Sequence, residues 1–132
     1  MQNNKNILLI GGYNSLLGSK IYFYLGRKYK IFRTSRTRNI RLNLNNLQNI
    51  KKVLKKYKPN IIINCSAYTD VNGCEKNPIK AIKDNCLSNF NLCEVYDKLD
   101  IKQKHIIYIS TDQIYNNKKN KNKEENIDLI NT

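Results

Sequence analysis

The chain has 132 residues, 40% of them hydrophobic, and its 24 Lys and Arg outnumber its 10 Asp and Glu to give a net charge of +14. A chain of this length forms one domain with a substantial core, which excludes a multidomain enzyme. The longest apolar runs, such as Ile61 to Ile63, are far shorter than the ~18 residues that span a bilayer. The N-terminus, Met1 to Asn6, is polar and unlike a signal peptide. We therefore expect a cytoplasmic protein that does not contact a membrane.

The high positive charge has two explanations. A basic chain can bind nucleic acid or another anionic surface. However, Asn, Lys, Ile and Tyr together make up 68 of the 132 residues, and all four have A/T-rich codons. Codon bias in the genome therefore accounts for much of the charge, and it weakens a functional interpretation.

The first elements are a strand and a helix separated by glycines. Ile7 to Ile10 is an apolar run that ends at Gly11-Gly12, a pattern typical of a buried parallel strand entering a tight turn. A helical period follows from Leu16 to about Tyr29, and its apolar face comprises Leu17, Ile21, Tyr24 and Leu25.

The middle of the chain continues this alternation. We predict a strand over Lys30 to Thr34, a short strand within Asn39 to Leu42 and a helix from Leu44 to Tyr57. Pro59 ends that helix, and Ile61 to Cys65 reads as a buried strand.

The last part is predicted to contain a polar loop, a helix and a strand. The loop covers Ser66 to Asn77, and Pro78 suits the first turn of the helix that follows. The last strand covers Ile106 to Ile109. The predicted buried face of the helix comprises Ile82, Cys86, Phe90 or Asn89, Cys93 and Tyr96.

This alternation of strands and helices predicts an α/β fold. We expect a Rossmann-like, doubly wound parallel sheet of order 3-2-1-4-5 that stops after about its fifth strand. Residues 1–115 would form a dinucleotide-binding domain, and residues 116–132 a mobile segment rich in Asn and Lys. Ligands of such sheets bind outside the carboxyl ends of the strands. The last strand would leave an exposed sheet edge, which favours self-association.

The four cysteines are not predicted to bind metal. Cys65, Cys74, Cys86 and Cys93 form no C-x-x-C pair, and His105 is the one histidine of the sequence. A zinc site requires clustered Cys and His ligands. We expect reduced thiols in the core, with Cys86 and Cys93 buried on a helix.

The segment Gly12 to Gly18 has the spacing G-x-x-S-x-x-G between the first strand and the first helix. Dinucleotide-binding turns need small residues there for a tight turn, for close approach to pyrophosphate and for helix packing. Ser15 stands where glycine is usual, and its hydroxyl is able to donate to a phosphate. The alternative is an ordinary β-α turn.

The end of the second strand indicates which dinucleotide is preferred. NAD-binding domains place an acidic residue there to bind the ribose 2′-hydroxyl. No acid occurs between Lys30 and Arg41; Arg33, Arg36 and Arg38 occur instead. Because arginine pairs well with phosphate, the sequence favours NADP(H) over NAD(H), with Arg36 near the 2′ position.

Several segments together resemble the dTDP-4-dehydrorhamnose reductase family of the extended short-chain dehydrogenase/reductase superfamily. They are ILLIGGYNSLLGSK, LNLNNLQNIKKVLKKYKPNIIINCSAYTDVNGCEKNP, AIKDN and IIYISTDQIY. The resemblance runs from about Ile7 to Tyr115 and implies reduction of a dTDP-linked 4-keto sugar. The KPNIIINCSAYTDV and ISTDQIY segments are the most specific for this family.

The resemblance also implies roles for particular residues. Thr111 would contact the C4 oxygen of the sugar, and Asp112 would also contact substrate. Asn43 and Asn72 stand where the family usually has aspartate, so we expect the adenine contact at Asn43 to be altered. Glu75 and Asn85 are the residues that the family has at those positions. Together with the glycine turn and the arginines after the second strand, the resemblance predicts the cofactor-binding residues Gly12, Asn14, Ser15, Leu16, Leu17, Arg36, Asn43, Leu44, Ala67, Tyr68, Thr69 and Ile109.

One part of the family pattern is missing. The proton donor of the family is a tyrosine in the motif Y-G-x-[ST]-K, which does not occur in this sequence. Neither Tyr108 nor Tyr115 has a lysine four residues later in a helical context. EENIDLINT resembles the segment that leads to that tyrosine, so we expect the N-terminal part of a reductase, inactive by itself.

Three functions follow from these observations. The first is NADPH-dependent reduction of dTDP-4-dehydro-L-rhamnose, or a close relative, by a protein of which this chain is the N-terminal part. The second is a non-catalytic dinucleotide-binding module similar to the regulatory subunit of methionine adenosyltransferase. The third is a basic nucleic-acid-binding domain, against which the scattered lysines and the absence of a recognition motif argue.

Overall fold

The structure is a computed structural model that describes residues 5–111. It contains five strands, β1 Asn6–Ile10, β2 Lys30–Ser35, β3 Ile40–Arg41, β4 Ile61–Asn64 and β5 His105–Tyr108, within that range. The helices are α1 Leu16–Leu25, α2 Leu47–Tyr57, α3 Val71–Lys76, α4 Pro78–Ile82 and α5 Ser88–Asp97, with a π-helical turn at Lys83–Leu87 between the last two.

The strands form one parallel sheet of order β3-β2-β1-β4-β5, as predicted. The central strand β1 pairs with β2 on one side and with β4 on the other, so that Ile10 lies opposite both Thr34 and Asn64. Because all strands run the same way, their carboxyl ends meet at one edge of the sheet, and this confirms the α/β, Rossmann-like fold.

The core lies on both faces of the sheet because side chains alternate along each strand. Leu8 and Ile10 pack on one face against the apolar sides of α2 and α5, which include Ile50, Leu54 and Leu92. Ile7, Leu9 and Ile63 form the core of the opposite face, where α1 contributes Ile21.

Two predicted helices differ in their bounds. The helix α1 ends at Leu25, four residues before Tyr29, because Gly26 caps it and Tyr29 turns back to donate to the Leu25 carbonyl. The helix α2 begins at Leu47 because Asn46 is its N-cap, and the Asn46 side chain accepts from the Asn49 N–H at 2.9 Å.

The segment predicted as a polar loop after β4 contains the short helix α3. Asp70 caps it by accepting from the Gly73 N–H at 3.1 Å. The apolar spacing of this segment gave no signal for a helix, since none of the residues of α3 is buried.

The predicted buried face of the last helix is wrong over most of its length. Tyr96 is buried as expected, but Ile82 and Phe90 are exposed, and so are Cys86 and Cys93, which were expected in the core. The prediction assumed one regular helix, whereas the π-helical turn bonds the Ser88 N–H to the Lys83 carbonyl. Within α5, which is a regular α-helix, the buried residues are Ser88, Leu92 and Tyr96 at intervals of four, so the buried face passes through Leu92 and not through Phe90 and Cys93.

Among the described residues β5 is the last strand of the sheet, and it pairs with β4 on one side. Ile107, Tyr108 and Ile109 are each roughly two-fifths exposed. Self-association through this edge stays a prediction.

We expect burial to determine the cost of truncating isoleucine. Ile62 is 0% exposed in β4, and Ile79 is 79% exposed in α4. Ile62→Ala should lower the free energy of unfolding by about 2–5 kcal/mol, because it removes buried methyl groups and leaves a cavity. Urea unfolding followed by circular dichroism measures this loss.

Ile79→Ala is the matched control and should change stability by about 0.5 kcal/mol or less. Equal losses in the two variants would contradict the packing of β4 between the two faces of the core.

Candidate functional site

A cavity of about 700 Å³ opens where β1, β2 and β4 end. Its walls include the last residue of β1, Ile10, and the last residues of β2, Thr34 and Ser35. A cavity of this size accommodates a small-molecule ligand or part of a cofactor. The predicted site residues that line it are Asn14, Ser15, Leu16, Arg36, Leu44, Ala67, Tyr68 and Thr69.

Some of the predicted site residues that the structure describes do not line this cavity. Gly12 and Leu17 flank the turn, and Ile109 donates its N–H to the Asn64 carbonyl at 3.3 Å just past β5. Thr111 lies three residues past β5 and is exposed. Asp112 lies outside the described residues, and the substrate roles of Thr111 and Asp112 stay predictions.

Asn43 is also outside the lining. Its side chain accepts from the Asn45 N–H at 3.0 Å, and its N–H donates to the Asn49 side chain at 2.7 Å. Asn43 therefore shapes the turn before α2. The neighbouring residues Leu44 and Asn45 are the ones that face the cavity.

Two glycines determine the shape of the turn after β1. Gly11 has a φ of +76°, which an L-residue with a side chain rarely adopts. A Cβ on Gly18 would lie 2.7 Å from the Gly11 carbonyl oxygen and 3.0 Å from the Gly12 Cα. The helix α1 thus packs directly on the turn, and its N-terminus reaches the sheet edge.

Ser15 is the N-cap of α1. Its hydroxyl oxygen accepts from the Gly18 N–H at 3.2 Å, so the side chain serves the helix and still has a proton to donate. By helix geometry the N–H groups of Leu16 and Leu17 have no acceptor within the helix. Together with the helix dipole, these groups make the start of α1 suited to a phosphate.

A chain of asparagines positions the loop after β4. The buried Asn64 accepts from the Ser66 N–H and hydroxyl, and its amide donates to the Asn89 side chain at 2.8 Å. Asn89 donates to the Asn85 carbonyl, and the Asn85 side chain bonds both the N–H and the carbonyl of Tyr68. This network fixes the predicted cofactor loop Ala67–Thr69 against the last helices.

Of the arginines near β2, Arg36 lines the cavity. Arg33 instead lies between two aromatic rings, with its Cζ 4.1 Å from the Tyr13 centroid and 3.8 Å from the Tyr22 centroid. These cation–π contacts hold Arg33 beside the glycine turn. A 2′-phosphate site at the end of β2 therefore depends on Arg36.

Four residues of the cavity lining form a charged cluster, which we call the Asp84 cluster: Arg36, Asn45, Lys80 and Asp84. Sequence reasoning predicted Arg36 but missed the other three. The Asp84 side chain is 8% exposed and accepts from Lys80 Nζ at 2.9 Å and from Asn45 Nδ2 at 2.8 Å. Arg36 Nη2 lies 3.5 Å from the same carboxylate. Lys80 and Asp84 are four residues apart, a spacing that signals an ion pair on a helix but gives no hint of a cavity.

Two polar atoms near this cluster are buried without a hydrogen-bond partner among the described residues. They are Thr34 Oγ1 and Asn45 Oδ1, and both residues line the cavity. Buried polar atoms are normally paired, so an unpaired acceptor in a cavity wall suits a ligand that donates a hydrogen bond.

The partners of Asp84 hold its pKa below the usual range of a carboxyl group. The hydrogen bond from Lys80 contributes most; burial acts in the opposite direction, and Asn45 and Arg36 add to the lowering. Because the folded-state pKa is lowered, this carboxylate stabilises the fold above its ordinary pKa. That contribution is lost as the pH falls through the folded-state value.

We therefore expect Asp84→Asn to unfold at a lower temperature than the unsubstituted chain at neutral pH. The difference should start to shrink as the pH falls to about 4, where the carboxyl of the unfolded chain gains its proton, and it should be lost at the lower pH where the native carboxyl is protonated. Thermal unfolding between neutral pH and about pH 3 measures this.

Glu94→Gln is the control, since Glu94 forms a solvent-exposed pair with Lys98. A pH-independent gap between Asp84→Asn and the unsubstituted chain would show that the Asp84 charge does not contribute to stability.

Within the described residues, no tyrosine with a lysine four residues later lines the cavity; Tyr68 does line it, and Lys80 Nζ lies 3.4 Å from its ring centroid. Tyr24 is followed four residues later by Lys28, but both are exposed and outside the cavity lining. The Tyr108 hydroxyl lies 3.2 Å from Cys93 Sγ and donates to the Asn89 carbonyl. Burial and the Cys93 thiol raise the pKa of Tyr108, which makes it a poorer acid.

The described residues contain neither a cluster of metal ligands nor a helix able to cross a membrane. Within residues 5–111, no three His, Cys, Asp or Glu side chains come together as a metal site. Over the same residues, no helix has the length and apolar character required to cross a bilayer.

Comparison with known proteins places these features in context. The family described as "RmlD substrate binding domain" matches residues 5–128. A solved dTDP-4-dehydrorhamnose reductase from Bacillus anthracis, in complex with NADP, is 26% identical with a TM-score of 0.73, covering 85% of this chain and 38% of that one. A solved dTDP-4-dehydrorhamnose reductase from Clostridium acetobutylicum is 28% identical to this chain with a TM-score of 0.75, and the match covers 88% of this chain and 39% of that one.

Curated relatives are also reductases or sugar-nucleotide enzymes. A probable low-salt glycan biosynthesis reductase from Haloferax volcanii is 34% identical over 74 residues, which are 56% of this chain and 24% of that protein. A dTDP-D-glucose 4,6-dehydratase from Dictyostelium discoideum is 28% identical, covering 98% of this chain and 35% of that protein. The chain thus spans about a quarter to a third of the length of these relatives.

Proposed function

The chain belongs to the RmlD substrate binding domain family, and we propose that it is the cofactor-binding part of an NADPH-dependent nucleotide-sugar reductase. Its fold is that of reductases and epimerases acting on sugar nucleotides. The substrate proposed is dTDP-4-dehydro-L-rhamnose or a close relative.

The observation that carries this proposal is the composition of the cavity. The cavity lining contains the start of α1 at Ser15 and Leu16, Arg36 after β2, and the Ala67–Thr69 loop after β4. The helix start suits a pyrophosphate, and the guanidinium suits a second phosphate beside it. A dinucleotide with a 2′-phosphate carries both a pyrophosphate and this second phosphate, so one molecule in the cavity could meet the helix start and Arg36 together.

The cofactor would supply a hydride to the C4 carbonyl carbon of the sugar. What the chain itself contributes is binding and orientation: the helix start and Arg36 hold phosphates, and the asparagine network fixes the loop after β4. We propose that Thr111 donates a hydrogen bond to the C4 oxygen, where negative charge develops during reduction.

Arg36→Leu tests the choice of cofactor. We expect the unsubstituted chain to bind NADPH more tightly than NADH in calorimetric titrations. Arg36→Leu should weaken NADPH binding by about tenfold to a hundredfold, since a hydrogen bond to a charged group contributes about 1.5–3 kcal/mol. NADH affinity should stay within about twofold, because NADH has no 2′-phosphate.

Arg38→Leu is the matched control, because Arg38 lies in the same loop but outside the cavity lining. Tighter binding of NADH than of NADPH, or an Arg36→Leu variant that binds NADPH normally, would contradict the proposed specificity.

We also propose that residues 1–132 by themselves do not turn over dTDP-4-dehydro-L-rhamnose, because the motif Y-G-x-[ST]-K is not among them. General acid catalysis of this kind contributes about 10²–10⁴ in rate. Loss of NADPH absorbance in the presence of substrate measures turnover. Rapid oxidation by this chain would show that another group donates the proton.

A further inference from the structure

The Asp84 cluster connects the two loops that border the cavity. Arg36 comes from the segment after β2, and Lys80 and Asp84 come from α4 and the π-helical turn. Lys80 Nζ also lies 3.4 Å from the ring centroid of Tyr68, in the loop after β4. The carboxylate of Asp84 is therefore shared by cations from both sides of the cavity.

The two cations remain accessible although their common partner is buried. The side chains of Arg36 and Lys80 are 68% and 43% exposed, whereas that of Asp84 is 8% exposed. Both cations approach the same oxygen, Asp84 Oδ2, and both line the cavity. The cluster carries two positive charges against one negative charge, which leaves it attractive to an anion.

Asp84 and its neighbour Asn85 lie in the π-helical turn and bond different parts of the site. Asp84 and Asn85 are consecutive, yet Asp84 bonds Asn45 and Lys80 while Asn85 bonds the backbone of Tyr68. In the turn at Lys83–Leu87, an N–H donates to the carbonyl five residues earlier, so the turn contains more residues than a turn of an α-helix. Such turns are frequent at functional sites.

We propose that Lys80 and Asp84 set how strongly the site prefers a nucleotide with a 2′-phosphate. Lys80 is a second cation for that phosphate, beside Arg36. Asp84 competes with the phosphate for both cations and repels it by its own charge, so it limits the preference. This inference rests on the proposed function, because it assumes that the adenosine half of a dinucleotide binds in this cavity.

The test uses nucleotides that represent only the adenosine half of the cofactor. Calorimetry gives the affinities of adenosine 2′,5′-bisphosphate and adenosine 5′-monophosphate for the full 132-residue chain, and their ratio isolates the 2′-phosphate. Asp84→Asn should raise the ratio in favour of the bisphosphate, and Lys80→Met should lower it, each by about threefold to tenfold. Lys80→Arg retains the charge and should restore much of the preference.

A second comparison separates competition for Arg36 from a general charge effect. In an Arg36→Leu background, Asp84→Asn should change the ratio less than in the unsubstituted chain, because part of its effect acts through Arg36. Glu94→Gln and Lys98→Met alter the same charges in an exposed pair of the same spacing outside the cavity, and they should leave the ratio unchanged.

The outcomes distinguish this inference from the proposed function. If neither nucleotide binds to the unsubstituted chain, the proposed function is overturned and the inference with it. If both bind and Asp84→Asn leaves the ratio unchanged or lowers it, only the inference is overturned. An equal effect of Glu94→Gln would also overturn it, because the cause would then be net charge alone.

Discussion

The close contact between α1 and the turn after β1 is the constraint on which the rest of the site depends. A side chain at Gly18 would meet the Gly11 carbonyl at 2.7 Å, so only glycine allows the helix to approach this closely. The contact places the start of α1 at the carboxyl edge of the sheet. Since β1 is central, that position lies between the ends of β2 and β4, where the cavity opens.

The cavity is bordered by two kinds of polar interaction that act differently. The asparagine network from Asn64 to Tyr68 is neutral and largely buried, so it fixes the shape of a loop. The Asp84 cluster is charged, and its two cations face the cavity. The side chains of Arg36 and Lys80 are 68% and 43% exposed, so both cations remain accessible to a ligand although their carboxylate partner is buried.

The last helical segment consists of a π-helical turn followed by the regular helix α5, and its buried side differs from the one predicted. Its apolar residues from Ile82 to Tyr96 follow helical spacing, yet Phe90 is 65% exposed and Leu92 is buried. The buried residues of α5 are Ser88, Leu92 and Tyr96, which lie four residues apart on one side of a regular helix. Asp84 and Asn85, whose side chains bond groups at the site, lie in the π-helical turn before it.

The sequence by itself determined the fold and the turn. Apolar runs of four or five residues, separated by helical periods and glycines, specify a parallel sheet because these patterns depend on local spacing, and the sheet order follows from the handedness of crossovers. The family resemblance identified Ser15 and Tyr68, and the arginines that replace an acid after the second strand pointed to Arg36; all three line the cavity. Only the tertiary structure decided that Arg33 stacks between tyrosines while Arg36 meets Asp84, 48 residues away. Contacts between residues so distant along the chain leave no periodic signal, since they depend on how the elements pack.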